Sequence, residues 1–178
     1  AGQAYKNIAR RILGDDVPML ELEEEANIFT KIKKIFDELK TPFIINQPSY
    51  SMLNRWIEED GLKDYAYENG LGLAVFSPLA QGLLTDKYLK TNTGSSSRPW
   101  MKSQPDENTL KKLKKLNEIA ANRGQKLSQM ALSWVLRDDK ITTVLIGASR
   151  PEQITENLQA VFKTDFSQEE LTAIEDTL

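Results

Sequence analysis

A glycine-containing turn between an apolar run and a helix holds the residues best suited to bind an anion. The apolar run 144–146 ends at Gly147-Ala148-Ser149, and an amphipathic helical pattern opens at Arg150-Pro151. Ser149 or Arg150 is expected near the N-cap, and Pro151 suits the first helical turn because its missing N–H costs nothing there. At a helix N-terminus, the free N–H groups and the positive end of the helix dipole both favour an anion, and Arg150 adds a cation. The segment predicts either a phosphate site, such as that of a nucleotide, or an ordinary capped corner between a strand and a helix.

The composition excludes several kinds of catalytic and metal site. The 178 residues contain neither cysteine nor histidine, so disulfides, thiolate or histidine metal ligands and Ser-His-Asp catalysis have no residues to form them. A net charge of −3 argues against a general nucleic-acid or membrane surface. No apolar run approaches the roughly 18–20 residues that span a bilayer, and the first residues lack the apolar core of a signal peptide. We therefore expect a cytoplasmic protein that binds neither nucleic acid nor membrane.

Alternating strands and helices are predicted along most of the chain. Short apolar runs at 43–47, 71–76 and 142–146 predict buried strands of a parallel sheet. Helical periodicity is found over 20–40, 56–69, 109–122, 128–136, 151–161 and 167–177. Ser128 is expected to cap the fourth of these helices, and Ser167 with Glu170 fits a capping box. The alternation predicts parallel strands joined by right-handed crossovers, in either a doubly wound sheet or part of a (β/α)8 barrel.

The predicted strands end in three segments that could share a ligand. These are 46–50, 77–81 and 147–150, each of them polar, small and containing proline or glycine. In both candidate folds, ligands gather at the C-terminal ends of the strands, so three such ends in succession predict a common binding face. A polar stretch over 90–107 is long for a connection, and it predicts either a functional flap or a disordered segment.

Four motifs resemble those of a known family when they are taken together. They are INQPSYSMLNRW, FSPLAQGLLTDKY, MALSWVL and LIGASRPEQITENLQAV. In this order and spacing, over about residues 42–178, they resemble the aldo-keto reductases, in particular the branch with the glyceraldehyde-phosphate reductases and potassium channel β subunits. The resemblance implies NADPH binding without a Rossmann fold and reduction of a small carbonyl substrate. It also implies a TIM barrel, with 42–178 as its C-terminal half (about the sixth to eighth βα units). Residues 1–41 are expected to be an N-terminal helical segment of unclear origin, because residues 1–40 do not match the first half of the family.

The resemblance implies cofactor contacts at positions that match the family's motifs. Gln47 resembles the residue that hydrogen-bonds the nicotinamide carboxamide, and Phe76 lies where an aromatic side chain stacks near the nicotinamide ring. The other implied contacts are Ser77, Leu79 and Gln81 at the pyrophosphate, Lys87 and Arg98 at cofactor phosphates, and Ser149, Gln153, Glu156 and Asn157 at the adenosine and its 2′-phosphate. Arg150 is expected to favour the 2′-phosphate, and therefore NADPH, because an arginine–phosphate contact is charge-assisted.

Several of these residues also have a purely structural interpretation. The alternatives are a strand-end contact for Gln47, a core position for Phe76, a solvated surface position for Lys87, and helix-surface positions for Glu156 and Asn157. Tyr50 and Trp56 are interpreted as packing residues rather than substrate contacts.

The sequence departs from the family at the catalytic residues. In the family an Asp, Tyr, Lys and His set comes from earlier strands, but this chain has no histidine. The adjacent pair Tyr5-Lys6 does not follow the family pattern, so we assign no catalytic residue. A (β/α)8 barrel takes about 250 residues, which leaves four interpretations open: a fragment of a reductase, a natural truncation, an engineered half-barrel, or a regulatory relative that binds cofactor without catalysis. Because an open half-barrel exposes sheet edges and an apolar interior, we expect it to pair, as an oligomer or with a missing N-terminal half.

Overall fold

Three short parallel strands and their connecting helices make up the part of the chain that the computed structural model describes, residues 44–89 and 105–178. The elements are β1 (Ile45–Asn46), α1 (Trp56–Glu59), α2 (Leu62–Glu68), β2 (Gly72–Val75), α3 (Glu107–Asn122), α4 (Leu127–Val135), β3 (Thr143–Val144), α5 (Pro151–Leu158) and α6 (Gln168–Glu175). Short 3-10 helices cover Ala80–Gly82, Asp86–Tyr88 and Gln159–Phe162. The helix predicted over 20–40, the boundary at residue 41, the pair Tyr5-Lys6 and Arg98 lie outside the described residues.

The sheet is parallel, as the alternation of strands and helices predicts. β2 lies between β1 and β3, with Ile45 opposite Gly72 and Val75 opposite Val144. Gly72 allows the close approach of β1, since a Cβ at this position would lie 3.2 Å from Ile45 Cγ1. Helices separate each strand from the next along the chain, so the three strand ends meet at one edge of the sheet.

The two faces of the sheet have different surroundings. Leu73 and Val75 are fully buried in a hydrophobic core that also contains side chains of α1, α2, α3, α4 and α6. Successive side chains of a strand alternate between faces, which puts Ile45, Phe76 and Leu145 on the other face, where each remains 42–50% exposed. The prediction of fully buried strands is therefore wrong for this face, because among the described residues no second layer covers it.

The helices follow the predicted periodicity but differ at their ends. Gly61 adopts the left-handed region (φ 78°) and divides the helix predicted over 56–69 into α1 and α2. Lys126, rather than Ser128, is the N-cap of α4, so Ser128 lies within the first turn. Ser167 caps α6 as predicted, with its Oγ accepting a hydrogen bond from Glu170 N–H. None of the described helices is both long and apolar enough to cross a membrane.

Candidate functional site

The ends of β1 and β2 place the two predicted nicotinamide contacts on adjacent strands. Phe76 N–H donates to the Pro48 carbonyl oxygen at 3.0 Å, and Tyr50 N–H donates to the Phe76 carbonyl oxygen at 3.1 Å. These bonds hold the segment that follows Gln47 along the end of β2. Gln47 and Phe76 are both exposed, so Phe76 does not occupy the core position that was its structural alternative, and its ring is open to a ligand.

The loop after β2 has a strained backbone. Ser77 (φ 56°), Ala80 (φ 47°) and Gln81 (φ 56°) adopt the left-handed region, and they are three of the four non-glycine residues that do so among the described residues. Each such residue costs about 1–3 kcal/mol and persists only where its surroundings hold it, commonly at ligand sites. Leu79, between them, packs against the core and anchors the loop. The segment predicted to wrap the pyrophosphate is thus where the described backbone concentrates its strain.

The N-terminus of α5 presents three donors to a single oxygen atom. Gln153 Oε1 accepts from Ser149 N–H at 2.8 Å, from the Ser149 hydroxyl at 3.1 Å and from Arg150 N–H at 3.3 Å. Arg150 is the N-cap residue, and Pro151 is the first residue of the helix. Ser149 and Arg150 are exposed. In the structure this segment is thus a capped corner between a strand and a helix, with the Gln153 amide oxygen at the place where an anionic oxygen could accept the same bonds.

Two of the remaining predicted contacts interact with other side chains. Glu156 Oε1 forms an ion pair with Lys126 Nζ at 2.8 Å, which draws its carboxylate toward the start of α4. Lys87 is exposed, and its Nζ lies 5.2 Å from the centre of the Tyr88 ring. Asn157, in contrast, is buried. The structure thus joins Ser149, Arg150 and Gln153 in one hydrogen-bonded corner and gives Glu156 a partner on another helix.

A charged cluster that the sequence did not predict lies beside the ends of β1 and β2. We call it the Glu58 cluster; its members are Tyr50, Arg55, Glu58, Lys63 and Arg137. Glu58 Oε1 accepts from the Tyr50 hydroxyl at 2.5 Å, from Arg137 Nη2 at 2.7 Å and from Lys63 Nζ at 3.1 Å. Glu58 Oε2 accepts from Arg55 Nε at 2.6 Å. The carboxylate is therefore the point at which three cations and a phenol meet.

Two further carboxylates balance the positive charge of the Glu58 cluster. Asp138 pairs with Lys63 at 2.5 Å and Glu175 pairs with Arg55 at 2.5 Å, so three cations face three carboxylates. Burial alone would raise the pKa of Glu58, but the hydrogen bonds outweigh it and lower the pKa from 4.5 to about 2. Glu58 is therefore ionised at neutral pH, and the cluster is a closed ion-pair network rather than a reactive acid.

The aldo/keto reductase family model matches residues 25–178, and the chain belongs to this family. It is 46% identical over 153 residues to the L-glyceraldehyde 3-phosphate reductase of Escherichia coli (strain K12), covering 82% of this chain and 44% of that protein. It is 35% identical over 126 residues to the "Probable voltage-gated potassium channel subunit beta" of Oryza sativa subsp. japonica, covering 66% of this chain and 38% of that protein. The predicted family and branch are confirmed, and the chain spans less than half the length of these relatives.

Solved structures of the family support the predicted fold class. A glycerol dehydrogenase from Gluconobacter oxydans superposes with a TM-score of 0.66 at 27% identity, over 83% of this chain and 46% of that one. The holo form of an aldo-keto reductase from Bacillus halodurans gives a TM-score of 0.59 at 28% identity, over 83% of this chain and 46% of that one. The described residues are therefore part of a TIM barrel, and the uncovered face of their sheet corresponds to the inside of that barrel.

Proposed function

We propose that this chain supplies the cofactor-binding half of an NADPH-dependent reductase that transfers a hydride to a small aldehyde or ketone. The observation that carries the proposal is the position of the predicted contacts along one edge of the sheet. Gln47 follows β1, Phe76 and the loop 77–81 follow β2, and the donors of Ser149 and Arg150 follow β3. Ligands of (β/α)8 barrels bind at this edge.

The residues present fit a dinucleotide phosphate. At the α5 N-terminus, three donors already converge on one oxygen, which a phosphate oxygen replaces when Gln153 turns away. Arg150 stands next to these donors as an exposed cation, and a guanidinium binds phosphate with charge-assisted, often bidentate, hydrogen bonds. The strained loop after β2 is the proposed position of the pyrophosphate, because its Ala80 and Gly82 N–H groups bond back to the loop's own carbonyl oxygens and so hold the turn in one shape.

The nicotinamide end of the site has the complementary chemistry. When bound, NADPH supplies the hydride. The side-chain amide of Gln47 offers both a donor and an acceptor, as the carboxamide of a nicotinamide requires. The exposed ring of Phe76 offers an apolar face on the adjacent strand. These residues bind and orient a cofactor, and we assign no residue as the donor of the proton that the carbonyl oxygen takes up.

Titration of the purified 178-residue chain with NADPH, followed by calorimetry and by thermal unfolding, tests the proposal. We expect saturable binding and a Tm that rises with NADPH concentration, because a ligand that binds only the folded chain stabilises it by mass action. No heat of binding and an unchanged Tm at millimolar NADPH would overturn the proposal. A protein with no cofactor site gives no heat of binding and an unchanged Tm.

Cofactor binding without catalysis is the second candidate function. It is favoured by the identity of about a third to proteins named as potassium channel β subunits. Oxidation of NADPH with glyceraldehyde or methylglyoxal, measured on a longer protein that contains this sequence, separates the two candidates. Turnover supports the reductase, and tight NADPH binding without turnover supports the second candidate.

A further inference from the structure

We propose that the Glu58 cluster is a positioning device for the nicotinamide end of the cofactor site, and that it acts through Tyr50. This inference rests on the proposed function, because it concerns where Gln47 and Phe76 are held. The members of the cluster do not touch the cofactor in this proposal. They are positioning residues, whose effect reaches the ligand through the backbone.

Tyr50 links the cluster to both predicted nicotinamide contacts. Its hydroxyl donates to Glu58, and the same oxygen accepts from Arg137 Nη1 at 3.0 Å. Its backbone N–H donates to the Phe76 carbonyl oxygen at 3.1 Å. Gln47 lies three residues before Tyr50 on the same segment. The Tyr50 side chain is thus fixed in the cluster while its backbone is fixed to Phe76.

The segment between Gln47 and Tyr50 makes most of its contacts after Gln47. β1 pairs with β2 over only two residues, Ile45 and Asn46. On the other side, Trp56 Nε1 donates to the Ser49 carbonyl oxygen at 2.9 Å, and the buried ring of Tyr50 packs 5.6 Å from that of Trp134. The position of Gln47 therefore depends on the two pairs of β1 and on the contacts that follow it. The first of these is the bond from Phe76 N–H to the Pro48 carbonyl oxygen, and the Glu58 cluster fixes the segment at Tyr50.

Stabilisation of the fold alone does not require a charged network at this place. Removing one partner of a buried ion pair is costly, but replacing the whole pair by apolar side chains of similar size is often neutral or stabilising. A fully hydrogen-bonded network does, however, restrict its members to one arrangement. Glu58 binds four side chains from three parts of the chain, so Tyr50 has one position at which all four bonds can form. That restriction is the property that a cofactor contact needs.

Tyr50→Phe tests the proposal, because it removes the hydroxyl and leaves the ring packed on Trp134. Two ligands are titrated: NADPH, and 2′-phospho-ADP-ribose, which is the same molecule without the nicotinamide. We expect NADPH affinity to fall about tenfold, the equivalent of one misplaced hydrogen bond, and affinity for 2′-phospho-ADP-ribose to stay within about twofold. Tyr67→Phe is the matched control, since it makes the same chemical change on an exposed side chain outside the cluster, and it should alter neither affinity.

Hydrogen exchange supplies a readout that needs no ligand. In Tyr50→Phe we expect the amides of residues 50 and 76 to exchange faster, while Leu145 N–H, which donates to the Val75 carbonyl oxygen at 2.8 Å, keeps its rate. If Tyr50→Phe does not fold, Arg137→Lys carries the same pair of titrations, because it keeps the charge and loses the two-pronged contact with Tyr50 and Glu58.

Each outcome decides the question. A selective loss of NADPH affinity with faster exchange at residues 50 and 76 supports positioning. Equal loss for both ligands, or no loss for either, overturns positioning while leaving the cofactor site in place. If the unmodified chain binds 2′-phospho-ADP-ribose but not NADPH, the adenosine half of the proposed site stands and the inference fails. If it binds neither ligand, the proposed function itself is overturned, and the inference with it.

Discussion

Replacing Glu58 by glutamine should change how the stability of the chain depends on pH. The hydrogen bonds of the Glu58 cluster lower the pKa of this carboxyl from 4.5 to about 2. One pKa unit corresponds to about 1.4 kcal/mol. Because the side chain is 19% exposed, solvent screening reduces this energy, and the ionised group contributes about 2–3 kcal/mol to the free energy of unfolding. The pKa of Glu58 is lower in the folded chain than in the unfolded chain. This contribution to stability is therefore present above about pH 5 and is lost as pH falls toward 2.

The glutamine variant removes this dependence and also unbalances the cluster at neutral pH. Arg55, Lys63 and Arg137 then share only two carboxylates, those of Asp138 and Glu175. Leaving buried charges without their partner costs about 3–5 kcal/mol. We therefore expect the variant to be less stable than the unmodified chain near pH 7. At pH 3 the difference in free energy of unfolding should be smaller by about 2 kcal/mol, because the unmodified chain has then lost part of its own ion pairing.

Urea unfolding at about pH 7, 5, 4 and 3 measures this difference. Tryptophan fluorescence is a direct probe, because Trp134 is fully buried and Arg137 lies 3.7 Å from the centre of its ring. Glu156→Gln is the matched control, since its pair with Lys126 is exposed on both sides and such pairs contribute about 0–1 kcal/mol. A gap between the Glu58 variant and the unmodified chain that stays constant from pH 7 to 3 would show that the pKa of Glu58 is not depressed, and would refute the reasoning.

Three further predictions concern other parts of the structure. Arg150→Ala should weaken NADPH at least tenfold more than NADH in calorimetric titrations, since it removes a charge-assisted phosphate contact; an equal loss would show that Arg150 does not bind the 2′-phosphate. Arg123→Met should lower the free energy of unfolding by about 3–5 kcal/mol, because the buried guanidinium pairs with Glu170 and stacks 3.7 Å from the Phe166 ring; a loss below about 1 kcal/mol in urea would contradict a structural role. Phe162→Lys tests the expected self-association: light scattering should give a smaller mass than for the unmodified chain at an unchanged Tm, because this side chain is 79% exposed; an equal mass for both would contradict a role of Phe162 in association.

The elements were predictable from the sequence because their signals are local. Apolar runs predicted the three parallel strands, and three- and four-residue spacing predicted the described helices. The predictions that were wrong depended on the backbone conformation of a single residue or on the residues beside it. Gly61 looked like an interior helix residue, but its left-handed φ separates α1 from α2. Ser128 has the chemistry of an N-cap, yet the helix begins one residue before it and leaves the cap to Lys126.

In the candidate site, too, the arrangement of residues close in sequence was easier to predict than contacts between distant residues. Ser149, Arg150 and Gln153 are neighbours in sequence, so a turn and a helix start at this corner were predictable, although the bonds to Gln153 Oε1 were not predicted. The Glu58 cluster joins residues that no local pattern relates: Arg137 lies 79 residues from Glu58, and Glu175 lies 120 residues from Arg55. Each charge, seen alone in the sequence, resembles an ordinary solvated side chain of a helix. Only the packing of α1 and α2 against the end of α4 reveals the pairing.

The position of Phe76 follows from the core rather than from the ligand. Leu73 and Val75 are fully buried against the helices, and alternation along an extended segment then places the next side chain, Phe76, on the opposite face. That face is the one left uncovered among the described residues, and it is shared with Ile45 and Leu145. A substitution that shifted the register of β2 by one residue would bury Phe76 and expose Val75, so the packing of the core also determines whether an aromatic ring is presented at the proposed nicotinamide site.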